Sequence, residues 1–320
     1  METKKARIIY NPTSGREAVK RALPDILIKL EGAGYEASAH ATKCEGDAID
    51  AARTAAERGY DLVVAAGGDG TINEVINGLA EMPNRPKLGI IPVGTTNDFA
   101  RAIHVPRSIE KACDILVEGH TMPLDIGKVN EKYFMNIAGG GRITELSYEV
   151  PSKLKTVLGQ LAYYLKGIEM LPSFRPTKVS IEYDGKMYEG EVMLFLVSNT
   201  NSVGGFEKLA PDASFYDGMF DLLILKKINL ADFVRIASQA LRGDHLKDAN
   251  IIYTKANRIK VKTDDKIQLN LDGEYGGLAP AEFVNLYHHL EVIVPEKTAR
   301  KYEESEAAEQ KKINEEKVNP

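Results

Sequence analysis

The rhythm of apolar and polar positions changes once along the chain, near Met122. Before that point, short apolar runs alternate with segments of helical period. Residues 7–10 read as a buried strand that ends at Asn11-Pro12-Thr13-Ser14-Gly15. A 3.6-residue pattern then covers about 17–30, and Gly32 and Gly34 stop it. Pro24, inside that pattern, predicts a kink or a division of the helix. Further strands are expected at 35–40, 61–66 and 88–91. Helices are expected at 46–58, 71–81, 98–103 and 109–118. Such strand–helix alternation predicts an open α/β sheet.

After Met122, strand-like runs are separated by turn residues: Asp125-Ile126-Gly127, Val129-Asn130-Glu131, Gly139-Gly140-Gly141, Tyr183-Asp184-Gly185, Asp217-Gly218 and Asp272-Gly273. This spacing predicts an antiparallel β-sandwich as a second domain, interrupted by helices at 152–171 and 229–242. The boundary should fall near 124–127. The expected organisation is an α/β domain over 1–125, a sandwich over 126–295 and a charged tail over 296–320. The early tail should form a helix packing back on the first domain, and its end should be disordered. No internal repeat is visible.

A chain of 320 residues fits two domains. Its hydrophobic share of 43% is enough for real cores. The net charge of −5 argues against bulk binding of nucleic acid, which needs a basic footprint. The two cysteines, Cys44 and Cys113, are too far apart in sequence for a CxxC or Cys/His cluster, so neither a disulfide framework nor a zinc site is expected. No apolar run approaches the roughly 20 residues that span a bilayer. The longest, 192–197 and 222–225, are strand-sized. The expected location is cytoplasmic, and a lipid substrate would have to be met at a membrane surface.

The strongest chemical signal is Gly67-Gly68-Asp69-Gly70-Thr71, between an apolar strand and a helix. Glycines at a strand end let backbone approach phosphate oxygens. The helix that follows aims free N–H groups and its positive dipole end at the same place. Thr71 is a candidate cap for that helix. No Gly-Lys-Ser/Thr follows, so this is not a P-loop. Asp69 would repel a phosphate unless a divalent cation lay between them; the plainer reading is a Gly-rich turn with a solvated Asp69. A second loop, Gly94-Thr95-Thr96-Asn97-Asp98-Phe99-Ala100-Arg101, should lie beside the first at the C-terminal edge of the sheet. There Asp98 reads as a helix N-cap or part of a metal network, and Arg101 as a solvated residue or a phosphate contact. With the loop after the first strand, three polar loops make a nucleotide cradle.

Taken in order and spacing, Asn11-Pro12 with Ser14-Gly15, then 67–71, then 92–101, resemble the soluble diacylglycerol kinase catalytic family, which includes sphingosine, ceramide and bacterial lipid kinases. The Gly-Gly-Asp-Gly loop alone is shared with NAD kinases and phosphofructokinases. Gly204-Gly205, Ala210-Pro211-Asp212-Ala213, Asp217-Gly218 and Asp272-Gly273-Glu274 extend the resemblance to about Pro295. It is nearest to bacterial soluble diacylglycerol kinases of Gram-positive type. Phe206 departs from the pattern, where many relatives have a third glycine. The resemblance implies ATP contacts from Asn11, Pro12, Thr13, Ser14, Gly15, Thr42, Gly67, Gly68, Asp69, Gly70, Thr71, Ile72, Asn73 and Thr95. It implies an aspartate–water–Mg²⁺ network of Asp69, Asp98, Asp125 and Asp217, with a metal held by Asp217 and carbonyls near Ser214 and Met219. Glu274 would be the general base, taking the proton of the lipid hydroxyl. A homodimer is implied on the same ground.

Read without the resemblance, Glu274 is an exposed acidic hairpin residue, Asp272 a turn former, Asp217-Gly218 a turn signal and Asp125 either turn or site. His288 and His289 read as strand residues. Lys4, Lys5, Arg16, Lys20, Arg21 and Lys29, with Lys153, Lys155 and Lys166, are either solvated faces or contacts to anionic lipid. The expected activity is transfer of the ATP γ-phosphate to diacylglycerol. Its rivals are a kinase of another lipid alcohol (sphingoid base, ceramide, undecaprenol) or of NAD, and a non-catalytic nucleotide or lipid binder.

Overall fold

A computed structural model describes residues 3–141, 175–201 and 209–318. The expected helix at 152–171 with Lys153, Lys155 and Lys166, and the segment Gly204-Gly205-Phe206, lie outside the described residues. The chain divides into two compact units: residues 1–123 with 290–320, and residues 124–289. Asp125 therefore belongs to the second unit, and the stretch 290–295 to the first.

In the first unit, strands β1 (Lys4–Tyr10), β2 (Tyr35–Ala41), β3 (Leu62–Gly67) and β4 (Lys87–Pro92) form a parallel sheet in the order β4-β3-β1-β2. All six residues of β3 are buried, as a strand covered on both faces requires. Helices α1 (Ala18–Gly32), α2 (Asp47–Glu57), α3 (Asp69–Ala80), α4 (Asp98–Ala102) and α5 (Ile109–Glu118) fill the connections. The alanines of α2 let it approach closely: a Cβ on Gly78 of α3 would sit 2.3 Å from the Ile49 carbonyl.

The expected break at Pro24 does not occur, since α1 runs through it without interruption. Pro24 is exposed, so water can serve the Lys20 carbonyl that loses its amide partner. The irregularity lies ahead of the helix, where Gly15, Arg16 and Glu17 all have positive φ. Helix α7 covers Glu296–Val318, with Ala299 buried.

The second unit is antiparallel. Strands β5 (Thr121–Val129), β6 (Lys132–Phe134), β7 (Ile137–Gly140), β8 (Thr177–Tyr183), β9 (Lys186–Ser198), β10 (Phe220–Lys226), β11 (Ile251–Ala256), β12 (Arg258–Lys262), β13 (Gln268–Leu271), β14 (Glu274–Leu278) and β15 (Ala281–Ile293) build it. The long β9 pairs with β8 through its first half and with β7 and β10 through its second. Alternation along β10 explains why its apolar residues are all buried. Phe220, Leu222 and Ile224 enter a core with Phe134, Phe195 and Phe283, whereas Leu223 and Leu225 face a smaller cluster with Ile236 of α6 (Leu230–Arg242). Phe134 and Phe220 stack at 5.5 Å between ring centroids. Asn229 caps α6 by accepting from the Asp232 N–H at 2.9 Å.

Candidate functional site

Three loops meet at the C-terminal edge of the first unit's sheet. The Asn11 N–H bonds the Ala66 carbonyl at 3.2 Å, the Val93 N–H bonds the Gly67 carbonyl at 2.9 Å, and the Thr42 N–H bonds the Tyr10 carbonyl at 2.9 Å. The loops touch backbone to backbone. A Cβ on Gly94 would lie 2.5 Å from the Gly68 Cα, and one on Gly15, whose φ is +58°, would lie 2.8 Å from the Val93 carbonyl oxygen. Only glycine permits this approach. Within the first loop, the Asn11 carboxamide oxygen accepts from the Thr13 N–H at 2.9 Å and the Thr13 hydroxyl at 2.8 Å.

Helix α3 starts one turn earlier than the sequence suggests. Its N-cap is Gly68, and Thr71 lies inside the first turn rather than capping it. Gly68 has no side chain to cap with. Among the described residues the N–H groups of Asp69, Gly70 and Thr71 therefore find no hydrogen-bond partner, and an ideal Cβ on Gly70 meets nothing within 4 Å. A helix start with free N–H groups and open space above it suits an anion. Gly67 is different: a Cβ there would fall 2.5 Å from the Thr71 side chain, so its role is packing. Ile72 is fully buried and its N–H bonds the Gly68 carbonyl, so both are committed within the protein. Asn73 is half-buried, and its carboxamide oxygen and carbonyl both accept from the Asn77 side chain.

Asp69 joins two of the loops, its Oδ1 accepting from the Phe99 N–H at 3.3 Å. Asp98 is not the N-cap of α4. That position belongs to Asn97, which is buried, has a φ of 53° and exchanges two hydrogen bonds with Gly94, at 2.9 and 2.8 Å. Asp98 instead accepts from Arg101 Nη2 at 2.6 Å. Arg101 is thus neither simply solvated nor open to phosphate; it also donates to the Thr96 carbonyl at 3.2 Å. Arg107, which sequence reasoning missed, donates to the Thr95 and Thr96 carbonyls, both at 3.0 Å, and fixes the loop. Nothing in its local sequence signals that role.

In the second unit, Asp125 is fully buried. Its two oxygens accept from the Gly218 N–H at 2.6 Å and the His288 N–H at 2.7 Å. Burial pushes its carboxyl above the ordinary aspartate range, against the pull of those two N–H groups. Asp217 is half-buried; its Oδ1 accepts from the Met219 N–H at 3.1 Å and its Oδ2 from Lys255 Nζ at 2.8 Å. Lys255 Nζ also lies 3.2 Å from Asp221 Oδ2 and 3.0 Å from the Asp212 carbonyl oxygen. Asp221 is fully buried and its Oδ1 accepts from the Tyr253 hydroxyl. Burial raises the Asp221 carboxyl, while Tyr253 and Lys255 oppose the shift. Neither Lys255 nor Asp221 stands out in the sequence, because strand pairing of Asp221 with Lys255 brings them together.

The Asp217 turn offers oxygen donors suited to a hard divalent ion. Among the described residues no group of three or more His, Cys, Asp or Glu side chains could hold a metal. A site of one carboxylate with carbonyl oxygens and water needs no such group. The buried Ser214 hydroxyl has no hydrogen-bond partner, and an ammonium is already drawn to oxygens of this turn. Oxygen donors and an orphaned hydroxyl fit Mg²⁺ or a similar cation.

Glu274 opens β14 and is exposed. It follows the two-residue turn Asp272-Gly273, both with positive φ, and pairs with Leu271 across the hairpin. Asp272 does more than form the turn. Its carboxylate accepts from the N–H groups of Met135, Asn136 and Ile137, at 2.7, 2.9 and 2.9 Å. This anchors the hairpin that carries Glu274. His288 and His289 lie in β15, as expected.

Comparison with known proteins matches both units. A family model described as the diacylglycerol kinase catalytic domain covers residues 5–129. A second, described as the YegS C-terminal NAD kinase beta sandwich-like domain, covers 146–295. The chain is 67% identical over 302 residues to the diacylglycerol kinase of Bacillus subtilis strain 168, spanning 94% of this chain and 100% of that one. It is 56% identical over 292 residues to the diacylglycerol kinase of Staphylococcus epidermidis strain ATCC 12228, spanning 91% and 92%. The crystal structure of a diacylglycerol kinase from Bacillus anthracis strain Sterne superposes with a TM-score of 0.78 at 30% identity, over 93% of this chain and 99% of that one.

Proposed function

Since the chain belongs to the diacylglycerol kinase family, we propose that it transfers the γ-phosphate of ATP to the free hydroxyl of diacylglycerol and forms phosphatidic acid. The observation that carries the reading is the start of α3, where three free N–H groups face open space beside two glycine loops. Phosphate oxygens of ATP take those N–H groups, and the residues 11–15, Thr42 and Thr95 surround them.

Transfer needs a positioned phosphate, neutralised charge and an oriented nucleophile. Asp69 and Asp98 in the first unit, and Asp125 and Asp217 in the second, are the carboxylates assigned to divalent-ion chemistry. Asp217, with the Ser214 and Met219 carbonyls, would hold Mg²⁺. When bound, the ion supplies positive charge to phosphoryl oxygens. Arg107 and Asn97 keep the second loop in shape. Glu274 takes the proton of the acceptor hydroxyl; its exposure gives a bulky lipid access, and Asp272 holds its hairpin still.

No helix among the described residues is long and apolar enough to cross a membrane. In this reading the lipid is met at a membrane surface, on the cytoplasmic side. Lys4, Lys5, Arg16 and Arg21 are exposed. Lys29 is not available for lipid, because Asp114 holds it at 2.5 Å. A homodimer belongs to the same reading, and light scattering of the purified chain tests it.

The decisive experiment measures ADP release from ATP with Mg²⁺ across diacylglycerol, sphingosine, ceramide and undecaprenol in mixed micelles, with EDTA as control. Diacylglycerol-dependent release that EDTA abolishes supports the reading. Preference for another alcohol replaces the acceptor, and no release with any of them leaves a binder.

A further inference from the structure

The Lys255 ammonium stands where a cation is expected. It reaches Asp217 Oδ2 at 2.8 Å, the Asp212 carbonyl at 3.0 Å and Asp221 Oδ2 at 3.2 Å. The placement is built into the sheet. Lys255 lies directly across the β10–β11 ladder from Asp221, and Asp221 is fully buried and further held by the Tyr253 hydroxyl. The turn between Asp217 and Asp221 is equally fixed. The Gly218 N–H donates to Asp125, its carbonyl accepts from Asn257 Nδ2 at 2.8 Å, and its φ of +71° beside the Tyr287 ring requires glycine.

Two carboxylates thus share one ammonium. Every ion pair of Asp217 and Asp221 among the described residues is with Lys255. Remove that charge and two anions, one fully buried, face each other without compensation, a costly arrangement. Add a divalent ion on Asp217 Oδ2 and the ammonium must yield, because both cannot occupy one oxygen at contact distance.

We propose that Lys255 is a placeholder cation: its ammonium holds Asp217 and Asp221 in position while no divalent ion is bound, and is displaced from Asp217 Oδ2 when one binds. Lys255 is accordingly a positioning residue that sets how tightly the turn takes its metal. This rests on the reading of Asp217 as a ligand of that metal. A neutral residue at 255 leaves the oxygens of the turn for a divalent ion alone. Metal affinity rises, and the metal-free protein loses stability.

The test compares wild type, Lys255→Met and Lys255→Arg by thermal melting and by calorimetric titration of MgCl₂ into protein without nucleotide. Lys255→Met should melt lower than wild type in EDTA, recover in millimolar Mg²⁺ but not in NaCl of equal ionic strength, and bind Mg²⁺ about tenfold more tightly or better, equivalent to about 1.4 kcal/mol. Lys255→Arg keeps the charge and should stay near wild type. Asp217→Asn in the Lys255→Met background should abolish the recovery. If Lys255→Met cannot be purified, Asp221→Asn serves. It frees Lys255 to pair with Asp217 alone, and Mg²⁺ should bind more weakly than to wild type.

Outcomes separate the two ideas. Equal Mg²⁺ affinity in wild type and Lys255→Met overturns the placeholder and leaves the metal reading standing. No Mg²⁺ binding or Mg²⁺-dependent melting in any variant, or recovery that persists with Asn at 217, overturns the metal reading at Asp217 and the placeholder with it.

Discussion

Replacing Gly70 by valine separates nucleotide binding from folding. Gly70 is exposed in the first turn of α3, its φ is not in the left-handed range, and an ideal Cβ there meets nothing within 4 Å. The fold therefore has room for a side chain. Helix propensity favours the change slightly, since glycine is about 1 kcal/mol worse than alanine and valine at most about 0.7 kcal/mol worse. Melting temperature should hold or rise. The same space is what a phosphate must cross to reach the free N–H groups of 69–71. A hydrogen bond to a charged group is worth about 1.5–3 kcal/mol. At about 1.4 kcal/mol per tenfold, losing one weakens ATP roughly tenfold, and losing two roughly a hundredfold. Calorimetric titration of a non-hydrolysable ATP analogue with Mg²⁺, beside circular-dichroism melting, measures both quantities. Gly67→Ala is the contrast, because its Cβ would strike Thr71 at 2.5 Å and should lower the melting temperature. A folded Gly70→Val protein whose analogue affinity stays within about threefold of wild type would refute the phosphate site at α3, since even one lost contact exceeds that.

Other consequences are as direct. Glu274→Gln keeps the size of the proposed base and removes its basicity, so kcat for phosphatidic acid should fall about 10²–10⁴-fold with ATP affinity little changed; retention of more than about a third of kcat rules the residue out as base. Asp272→Ala strands three backbone N–H groups, at about 1–3 kcal/mol for each left unsatisfied. Its melting point should drop by roughly 6 °C or more, and an unchanged melting curve would show that water replaces the carboxylate without loss. Arg235 foremost, then the Asn250 N–H, hold the Asp248 carboxyl below its usual range. Stability from a depressed carboxyl is present above the unfolded value near 4 and lost as pH falls through the folded one. Asp248→Asn should thus be less stable than wild type at pH 7, and the difference should shrink as pH falls below the unfolded value near 4; a difference in melting temperature that stays constant from pH 7 to 3 contradicts the pairing.

What the sequence made legible is what local chemistry determines. The loops at 11–15, 67–71 and 94–98 were visible because glycines and an apolar strand state a phosphate geometry within a few residues. The start of α3 was misread because Thr71 is a good cap by type, whereas Gly68 begins the helix by leaving its N–H groups open. Pro24 misled because its penalty is small where water can reach the freed carbonyl. Arg107 and Lys255 were invisible because their partners are fixed by contacts 11 to 43 positions away. The Asp221–Lys255 pair depends on strand register, which no local pattern encodes.

The aspartates show why residue type alone could not rank the site. Asp69, Asp217 and Asp272 each precede a glycine, and each reads as a turn. Their carboxylates differ in what already satisfies them. Asp272 accepts three backbone N–H groups, a set that fixes a hairpin. Asp69 gives one oxygen to the Phe99 N–H and, among the described residues, finds no partner for the other, beside N–H groups at the start of α3 that suit an anion. Asp217 gives one oxygen to its own turn and the other to a movable ammonium. A backbone donor cannot leave without unfolding its loop, whereas a lysine side chain can swing away with the backbone in place. The carboxylates free to take a ligand are those whose present partners are absent or exchangeable, which singles out Asp69 in the first unit and Asp217 in the second, and assigns Asp272 to the support of Glu274.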